Sequence, residues 1–528
     1  MGKKIRQKQD RQVTEKHAAA EVCCMIKSCS TPVRSILLLA IVIAAAVFGV
    51  YWKTLDNRFL TWDDRKYIYE NPLVNGDGGV TAIWADLWAE RPTTSYYPLT
   101  IATFWIEKHL VGIPSDGGEL SNTAGPPAHP LFHVNQLILH VLNSVLIFLV
   151  LRALGAGFLV SAFTCLIFSL HPVNVESVAW MSERKNLLSG LFFWLSLLTY
   201  IQYRQMSVAL SGKSGAKINM KYLLALFFFV LALFSKSATL VLAPVIITTD
   251  RLLDKRWSLS SVKRSIPFFA MGLVMIALTA SRAEVLAKTS VHVDLFMRPL
   301  IAVSAIAHYF IKMILPINLA PIYTRWELSL AEPRYWLSLA GVIASGCLIW
   351  RFRGWLGDLW LWGLALFIFT ISPIIGLKYF SWMLFSFVAD HYMYLGSSGV
   401  ILMTGLLLQR LLSGFGDRMP ARVRTRVLCA TGAAVIVCCG WKSALQGEVW
   451  QDNRTLWEHT LSLNPECFIA NFNLGNYYFR KKDCETALKY YDVANRVEQK
   501  QIVAKTNAAK CLQELGRFEE AKKLLPNM

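Results

Sequence analysis

Two adjacent carboxylates, Asp63 and Asp64, are the residues whose type and spacing most directly suggest chemistry. They lie in the segment Phe59–Val74, shortly after the first long apolar run of the chain. A carboxylate held near a membrane surface is costly unless it is hydrated, paired or used, and one that is used can act as a general base. The neighbouring Trp62 and Tyr67 are of the aromatic type that settles at the lipid headgroup level. The segment therefore predicts an acidic site at a membrane interface, and the alternative is a solvated loop in which Asp63 only caps a short helix.

Adjacent residues point about 100° apart on a helix and to opposite faces on a strand, so both carboxylates cannot address one hydroxyl in regular structure. One of them is expected to be the base, and the other is expected to hold the loop by bonding the backbone, Arg65 or Lys66. We predict Asp63 as the base because Asp64 lies next to that basic pair.

The composition predicts an all-α, polytopic membrane protein. The 528 residues are 54% hydrophobic, with a mean hydropathy of +0.40, which is too apolar for an ordinary soluble domain. The net charge of +19 alone would suggest nucleic acid. The excess of Lys and Arg, however, concentrates in segments predicted to be cytoplasmic, as the positive-inside rule expects, so no nucleic-acid partner is predicted. The eleven cysteines show no metal-ligand spacing, so no metal site is predicted.

About eleven membrane crossings are predicted within a membrane domain at residues 35–444. Residues 1–34 form a basic cytoplasmic tail, and the run that follows it reads as an anchor, with a signal peptide as the alternative. Residues 52–130 form a long external loop. The predicted crossings are Ser35–Tyr51, Leu131–Leu151, Phe158–Leu170, Leu187–Tyr203, Lys221–Phe234, Ala238–Thr249, Ile266–Ala280, Trp336–Trp350, Trp355–Ile375, Gly396–Leu412 and Val427–Ala444.

Three of these segments leave alternatives open. Lys221–Phe234 and Ala238–Thr249 are barely long enough to cross a bilayer, so they are either two short crossings or a re-entrant pair. Leu300–Leu315 is predicted to lie at the external interface, because a crossing there would reverse the charge pattern downstream. In Leu131–Leu151, polar residues share one helix face, which predicts hydrogen bonds between helices, with a metal site as the alternative. These residues are His133, Gln136, His140 and Asn143.

Residues 445–528 predict a soluble tetratricopeptide-repeat module, an α-solenoid of paired helices. Small and large residues recur with the period of about 34 residues that is typical of this repeat. In the first unit they are Leu474, Gly475, Tyr478, Ala487, Tyr491 and Ala494, and in the second they are Ala508, Ala509 and Ala521. Because the predicted number of crossings is odd and the N-terminal tail is cytoplasmic, the module is predicted on the external side of the membrane. There it is expected to bind a peptide or a protein.

Several motifs, taken in order, resemble one family. They are Trp-Asp-Asp-Arg at 62–65, the polar face at 132–143, His-Pro-Val-Asn-Val-Glu-Ser-Val at 171–178, Ser-Lys-Ser at 235–237, Tyr-Met-Tyr-Leu at 392–395 and the terminal repeats. Together they resemble the class C glycosyltransferases, specifically the transmembrane-and-tetratricopeptide-repeat O-mannosyltransferases and their bacterial relatives. The chain departs from the family where Ser237 stands in place of an acid, and where Asp390-His391 stands in place of Glu-Arg.

The resemblance implies an inverting transfer of a sugar, mannose-like, from a polyprenyl-phosphate donor to a protein Ser or Thr hydroxyl on the external face. No cofactor other than the donor substrate is expected. The catalytic residues would be Asp63 and Asp64. The residues implied to bind substrate are Glu176, Arg184, Lys185, Lys236, His391 and His171. The leaving phosphate needs cationic donors, which the basic residues in this set can supply.

Structural alternatives stand beside these roles. Lys236 and Arg184 can be interface anchors whose charges extend toward water. Glu176 can cap a helix or form a structural pair, and His171 can be a buried structural histidine. Two other functions also stay open: a transferase that modifies lipid or polymerises glycan, and a non-catalytic membrane scaffold that docks partners through its repeats. The predicted location is a bacterial inner membrane, with the repeats on the periplasmic side.

Overall fold

A computed structural model describes residues 31–88, 96–112, 125–209, 220–286, 293–377, 381–414, 419–498 and 502–525. These residues form α-helices, short 3₁₀ and π turns and loops, with no β-strand beyond an isolated bridge between Arg58 and Pro127. The predicted all-α class is confirmed for this part of the chain. The basic tail at 1–34 lies almost entirely outside the described residues.

The first helices build the membrane entry and the external loop. They are α1 (Val33–Tyr51), α2 (Pro72–Asn75), α3 (Gly79–Ala85), α4 (Pro98–Val111), α5 (Pro130–Ala153), α6 (Phe158–Leu170), α7 (Val175–Ala179) and α8 (Arg184–Ala209). The predicted loop at 52–130 thus contains three helices of its own. A proline opens α2, α4 and α5, where its missing N–H is no loss.

The remaining helices complete the membrane bundle and the tail. They are α9 (Met220–Ser235), α10 (Leu242–Asp254), α11 (Leu259–Leu286), α12 (Met297–Ile314), α13 (Pro333–Leu356), α14 (Asp358–Ile371), α15 (Tyr394–Gly414), α16 (Ala421–Glu448), α17 (Asn453–Leu463), α18 (Phe468–Arg480), α19 (Cys484–Val497), α20 (Ile502–Glu514) and α21 (Phe518–Leu524).

Seven helices of the described chain are both long and apolar enough to cross a membrane, so the chain is an integral membrane protein. They are α1, α5, α11, α12, α13, the helix that includes α15, and α16. An eighth candidate is α6 with the segment Pro172–Ala179, which is bent by 50°. The other predicted crossings are shorter or more polar. Helix α8 carries Arg204, and α9 and α14 are shorter than the helices that could cross a membrane. The number of eleven crossings stays a prediction.

Helix α12 is long and apolar enough to cross a membrane, although the sequence analysis predicts it at the external interface. Near its start Ile301 packs against Gly376, which follows α14. Near its end the carbonyl of Met313 lies 3.1 Å from Nε2 of His171. Both contacts are with segments that lie at the same end of the bundle as the acidic loop. This pattern supports the interfacial placement of α12.

Glycines allow two helices of the bundle to approach closely. A Cβ atom on Gly399 of α15 would lie only 2.4 Å from the carbonyl oxygen of Gly363 on α14. In lipid the hydrophobic effect does not drive helices together, so close packing at small residues stabilises their association instead. The α14–α15 pair is thereby fixed, and α15 begins directly after the His391 turn, so its position is set at the site end of the bundle.

The tail divides between two hydrophobic clusters. Trp450, Leu456, Trp457 and Leu474, from α17, α18 and the turn before them, belong to the same buried cluster as the membrane helices. Helices α19 to α21 form a separate cluster around the buried Ala487. The first tail helices are therefore packed onto the membrane domain, on the side of the acidic loop. The hairpins α18–α19 and α20–α21 lie where the two repeats are predicted, and their assignment to the tetratricopeptide class stays a prediction.

Candidate active site

Asp64 is the anchored member of the acidic pair. Its side chain is buried, Oδ2 accepts the backbone N–H of Leu60 at 2.9 Å, and Oδ1 accepts the backbone N–H of Ser182 at 2.9 Å and its hydroxyl at 2.5 Å. Burial raises the pKa of the Asp64 carboxyl to about 6, although these hydrogen bonds oppose the rise. Asp64 ties the acidic loop to the turn before α8.

Asp63 is held differently. No hydrogen bond reaches its carboxylate from any described residue, and the alternative in which Asp63 caps a short helix has no support in the geometry. Burial raises the pKa of this carboxyl, and the charge of Lys185 opposes that rise. A carboxylate that lies near a lysine and accepts no hydrogen bond from the described residues is available to accept a proton. The geometry therefore favours the predicted division of roles, with Asp64 bonding the backbone rather than Arg65, which pairs with Glu70.

Lys185 and Lys236 meet at one buried carboxylate. Nζ of Lys185 lies 2.6 Å from Oε1 of Glu183, and Nζ of Lys236 lies 3.8 Å from Oε2. Asn186 completes the cluster, because its amide nitrogen donates to Glu183 and its oxygen accepts from Lys236. Burial alone would raise the pKa of Glu183, but the lysine and histidine charges around it outweigh burial and lower that pKa to about 2. Two cations thus share one ionised carboxylate.

Lys236 is the less fully compensated of the two lysines. It precedes a 3₁₀ turn between α9 and α10, where the chain returns toward the membrane. Burial lowers the pKa of its ammonium to about 8, because the charge of Glu183 offsets the loss of solvent only in part and the Lys185 charge adds to the lowering. An arriving anion would restore the missing compensation. Such an anion could be a phosphate, which accepts charge-assisted hydrogen bonds from lysine.

His391 is oriented by Glu176 from the opposite side of this cluster. Nδ1 of His391 lies 2.8 Å from Oε1 of Glu176, and the backbone N–H of His391 donates to Oε2 at 2.9 Å. The backbone carbonyl of His391 accepts from Asn186 at 2.9 Å, which links the histidine to the lysine cluster. Trp382 stands edge-on to the ring at 5.3 Å between centroids. No hydrogen bond joins the other ring nitrogen, Nε2, to any residue that the structure describes.

Arg184 and His171 lie away from this cluster. The guanidinium of Arg184 is buried and donates to Glu107 and to the carbonyl of Phe132 at 2.8 Å. It also donates to Gln136 at 3.2 Å. His171 accepts the backbone N–H of Val173 through Nδ1 and so caps the turn that follows α6. His171 thus occupies its structural alternative, whereas Arg184 is a buried, paired residue and not the interface anchor of its alternative. The substrate contacts predicted for both residues remain without a geometric basis.

The polar face of α5 makes the predicted hydrogen bonds between helices. His140 reaches the hydroxyl of Tyr394 at 2.8 Å and the carbonyl of Ser169 at 3.0 Å. Asn143 donates to the carbonyl of Leu187 at 2.9 Å. In the part of the chain that is described, no group of three potential metal ligands occurs. The face is structural, since it ties α5 to α6, α8 and α15.

Trp62 lies in a tryptophan cluster. It stacks on Trp180 at 4.5 Å between centroids and on Trp382 at 5.6 Å, and it contacts Trp457 of α17 at 5.2 Å. Trp180 also stacks on Trp450 at 5.4 Å. The cluster ties the residue before Asp63 to α17, and the placement of Trp62 at the headgroup level stays a prediction.

Sequence reasoning did not assign roles to three residues of the site. Glu183 and Asn186 flank the basic pair at the start of α8, and a charged run before an apolar helix was their only signal. Tyr392 places its ring 5.6 Å from Nζ of Lys236. It lies in a motif that the resemblance flagged, but its partner is 156 positions away in sequence, so no local pattern could pair them.

The fold and the site together describe a polytopic membrane protein with an acid and a pair of lysines at one membrane face. No family model matches the chain. A protein O-mannosyl-transferase of Caenorhabditis elegans is 22% identical over 450 residues, which cover 80% of this chain and 58% of that protein. Protein O-mannosyl-transferase TMTC4 of Homo sapiens is 29% identical over 197 residues, or 33% of this chain and 24% of the relative.

The predicted resemblance to the protein O-mannosyl-transferases is thereby confirmed. The chain spans less than two thirds of the length of the curated relatives it matches. Among solved structures, an oligosaccharyltransferase of Archaeoglobus fulgidus tethered to an acceptor peptide gives a TM-score of 0.43 at 11% identity, covering 86% of this chain and 58% of that chain. The archaeal oligosaccharyltransferase AglB, in complex with an inhibitory peptide and a dolichol-phosphate, gives 0.40 at 14% identity, with 78% and 56% covered.

Proposed function

We propose that this chain is an inverting membrane glycosyltransferase, which moves a mannose-like sugar from a polyprenyl phosphate to a hydroxyl of a protein. The observation that carries the proposal is the pairing of Asp63, whose carboxylate accepts no hydrogen bond from the described residues, with two lysines that share one buried carboxylate. One side of the site can take a proton, and the other side can hold a phosphate. A lipid-linked donor would keep its lipid chain in the membrane and place its sugar at such a site.

Asp63 acts as the general base. The acceptor hydroxyl donates its proton to the Asp63 carboxylate while its oxygen attacks the anomeric carbon of the sugar. The anchored Asp64 leaves Asp63 free to face the substrate, since both carboxylates cannot address one oxygen. Burial supports this role, because a carboxyl with a raised pKa is a stronger base than one in water.

The phosphate side lies at Lys185, Lys236 and His391. As the new bond to carbon forms, the bond between the anomeric carbon and the phosphate oxygen breaks, and its electron pair leaves with the polyprenyl phosphate. Cationic hydrogen-bond donors stabilise this developing charge most strongly where water is excluded. Attack opposite the leaving phosphate inverts the configuration at the anomeric carbon. The step needs no cofactor besides the lipid-phosphate sugar.

The acceptor is proposed to be a Ser or Thr hydroxyl of a protein or peptide, recruited by the tail. The names of the sequence relatives support a protein acceptor. The packing of α17 on the acidic loop supports a tail on the same membrane face as Asp63. We place that face on the external side of the membrane, the periplasmic side in a bacterium.

A panel of polyprenyl-phosphate sugars tests the proposal. Purified protein in lipid nanodiscs is incubated with each donor and a Ser/Thr-rich peptide, and mass spectrometry measures free polyprenyl phosphate and glycosylated peptide together. We expect both products in equal amounts from one donor. Lipid phosphate without glycosylated peptide would point to a lipid or glycan acceptor. If no donor yields either product, the proposed transfer is contradicted and the non-catalytic scaffold is the function that remains.

A further inference from the structure

The catalytic loop is bonded to the first helix of the tail. The amide oxygen of Asn453 accepts the backbone N–H of Thr61 at 2.8 Å and its hydroxyl at 3.0 Å. Asn453 is the first residue of α17 and its side chain is buried. Thr61 lies two residues before Asp63. A residue 390 positions downstream of the base is therefore in direct contact with the loop that carries it.

Further contacts show that this junction is closely fitted. The backbone N–H of Arg58 donates to the carbonyl of Gln451 at 2.9 Å, and Trp62 contacts Trp457 on the same helix. Gly125 closes the other side of the loop with φ of +93°. A Cβ atom there would lie 1.8 Å from the carbonyl oxygen of Phe59 and 3.2 Å from the amide nitrogen of Asn453. Only glycine fits this position, so the loop is confined between two segments.

Helix α17 also contacts the segment that leads to the phosphate side. Nε2 of His459 lies 2.9 Å from the carbonyl of Leu319. The hydroxyl of Tyr323, four residues further on, donates to the Asp390 carboxylate at 2.9 Å, directly before His391. One helix therefore touches both the loop of the base and the segment that supports the phosphate side. It is placed to set the distance between the two halves of the site.

We propose that Asn453 is a positioning residue for Asp63, and that α17 is part of the catalytic site rather than of a separate docking module. The inference rests on the proposed function. Asp63 has no hydrogen bond of its own in the described chain, so its orientation depends on the residues that hold the loop on either side. Asp64 holds one side through Ser182, and Thr61 holds the other side through Asn453. Misplacement of a base by about 1 Å can slow a reaction by about 100-fold.

Two substitutions at Asn453 and one control separate positioning from stability. Asn453→Leu keeps the size of the side chain and removes the acceptor, whereas Asn453→Asp keeps an acceptor oxygen for both Thr61 donors. Glu458→Ala removes a partly exposed side chain of the same helix that pairs with Arg454 and does not touch Thr61. We expect Asn453→Leu to lower the single-turnover transfer rate at saturating donor by roughly 10- to 100-fold, with donor Kd changed less than about threefold.

In the same assay Asn453→Asp should recover most of the rate, and Glu458→Ala should stay close to wild type. Thr61→Val combined with Asn453→Leu should cost no more than Asn453→Leu alone, because both remove one interaction. A wild-type rate in Asn453→Leu, or an equal loss in Glu458→Ala, would overturn the inference. So would an increase in donor Kd as large as the loss of rate.

Hydrogen–deuterium exchange keeps this inference separate from the proposed function. If wild-type protein transfers no sugar from any donor, the proposed function fails, but exchange at residues 57–64 still reports on the loop. Asn453→Leu, or Thr61→Val if that variant does not fold, should raise exchange in this segment, and Glu458→Ala should not. Unchanged exchange in these variants would contradict a positioning role for Asn453.

Discussion

Lys236 is expected to give donor binding a dependence on pH. Its ammonium has a pKa lowered to about 8 by burial, so it is charged below that pH and neutral above it. We expect donor Kd to rise as pH increases from 7 to 9, because the neutral amine no longer attracts the phosphate. A charge-assisted hydrogen bond is worth about 1.5–3 kcal/mol, so the loss should reach about tenfold to a hundredfold.

Two variants isolate this titration. Lys236→Arg stays charged across the range, so its donor Kd should be nearly independent of pH. Lys236→Met should bind donor weakly at every pH, while expression and thermal unfolding stay close to wild type. Binding is measured with a fluorescent donor analogue in nanodiscs. Donor affinity in Lys236→Met equal to that of wild type at pH 7 would make Lys236 an interface anchor only.

Asp64 is expected to act on stability. Its two oxygens accept from Leu60 and from Ser182, and an amide offers only one acceptor oxygen. Asp64→Asn should therefore leave a buried donor unsatisfied and lower the free energy of unfolding by about 1–3 kcal/mol. Thermal unfolding in nanodiscs measures this loss. Donor binding should be unchanged, and an Asp64→Asn protein as stable as wild type would contradict the anchoring role.

The residues of the site were partly predictable. The acidic pair and the lysines stand beside membrane-facing helices, where charge is costly, so their types alone marked them. Arg184 carries the same signal but is paired with Glu107, a partner 77 positions away. Asn453 carries no local signal at all. Its role comes only from a contact with Thr61 across nearly the whole chain, which spacing cannot reveal.

At the scale of elements, Ala487 tests the packing of the tail. It is fully buried in α19, in the cluster separate from the membrane bundle. Ala487→Arg should unfold α19 to α21 through overpacking and a buried charge, and leave the membrane helices intact. Limited proteolysis measures this as rapid loss of the tail beyond α18. Glu485→Arg, an exposed position on the same helix, is the control, and a protease-resistant tail in Ala487→Arg would contradict the packing.

Helix positions followed from composition more reliably than helix ends did. Leu187–Tyr203 was predicted from its apolar residues, but α8 begins at Arg184 and continues to Ala209. The polar ends are helical because Arg184 and Arg204 find buried partners, Glu107 and Asp250, that hydropathy cannot show. The predicted break at Ser235–Ser237 is present because α9 ends at Ser235 and a 3₁₀ turn follows.

For the whole molecule, the contact of α17 with the acidic loop requires both to lie at one face of the membrane. A reporter fused after Met528 should therefore behave like one inserted between Gly112 and Gly125, and both should be external. A reporter inserted after Gly414, between α15 and α16, should be cytoplasmic. A cytoplasmic signal from the fusion at Met528 would contradict the layout.

The side of the membrane on which each segment lies was harder to predict. Charge placed the basic turns on one side, but α12 is apolar enough to cross and was assigned to the interface only to preserve that pattern. The contacts of Ile301 and Met313 with the site end of the bundle support that assignment, which stays a prediction.

The central claim is that Asp63 is the base of a sugar transfer, and one measurement tests it most directly. Single-turnover transfer is compared for wild type, Asp63→Asn and Asp64→Asn, with donor bound at saturation and released polyprenyl phosphate measured by mass spectrometry. Removing a general base should slow transfer by about 10²- to 10⁴-fold in Asp63→Asn, with donor Kd unchanged. Asp64→Asn should lose less rate than this. Transfer by Asp63→Asn at the wild-type rate would show that this acidic loop is not the active site.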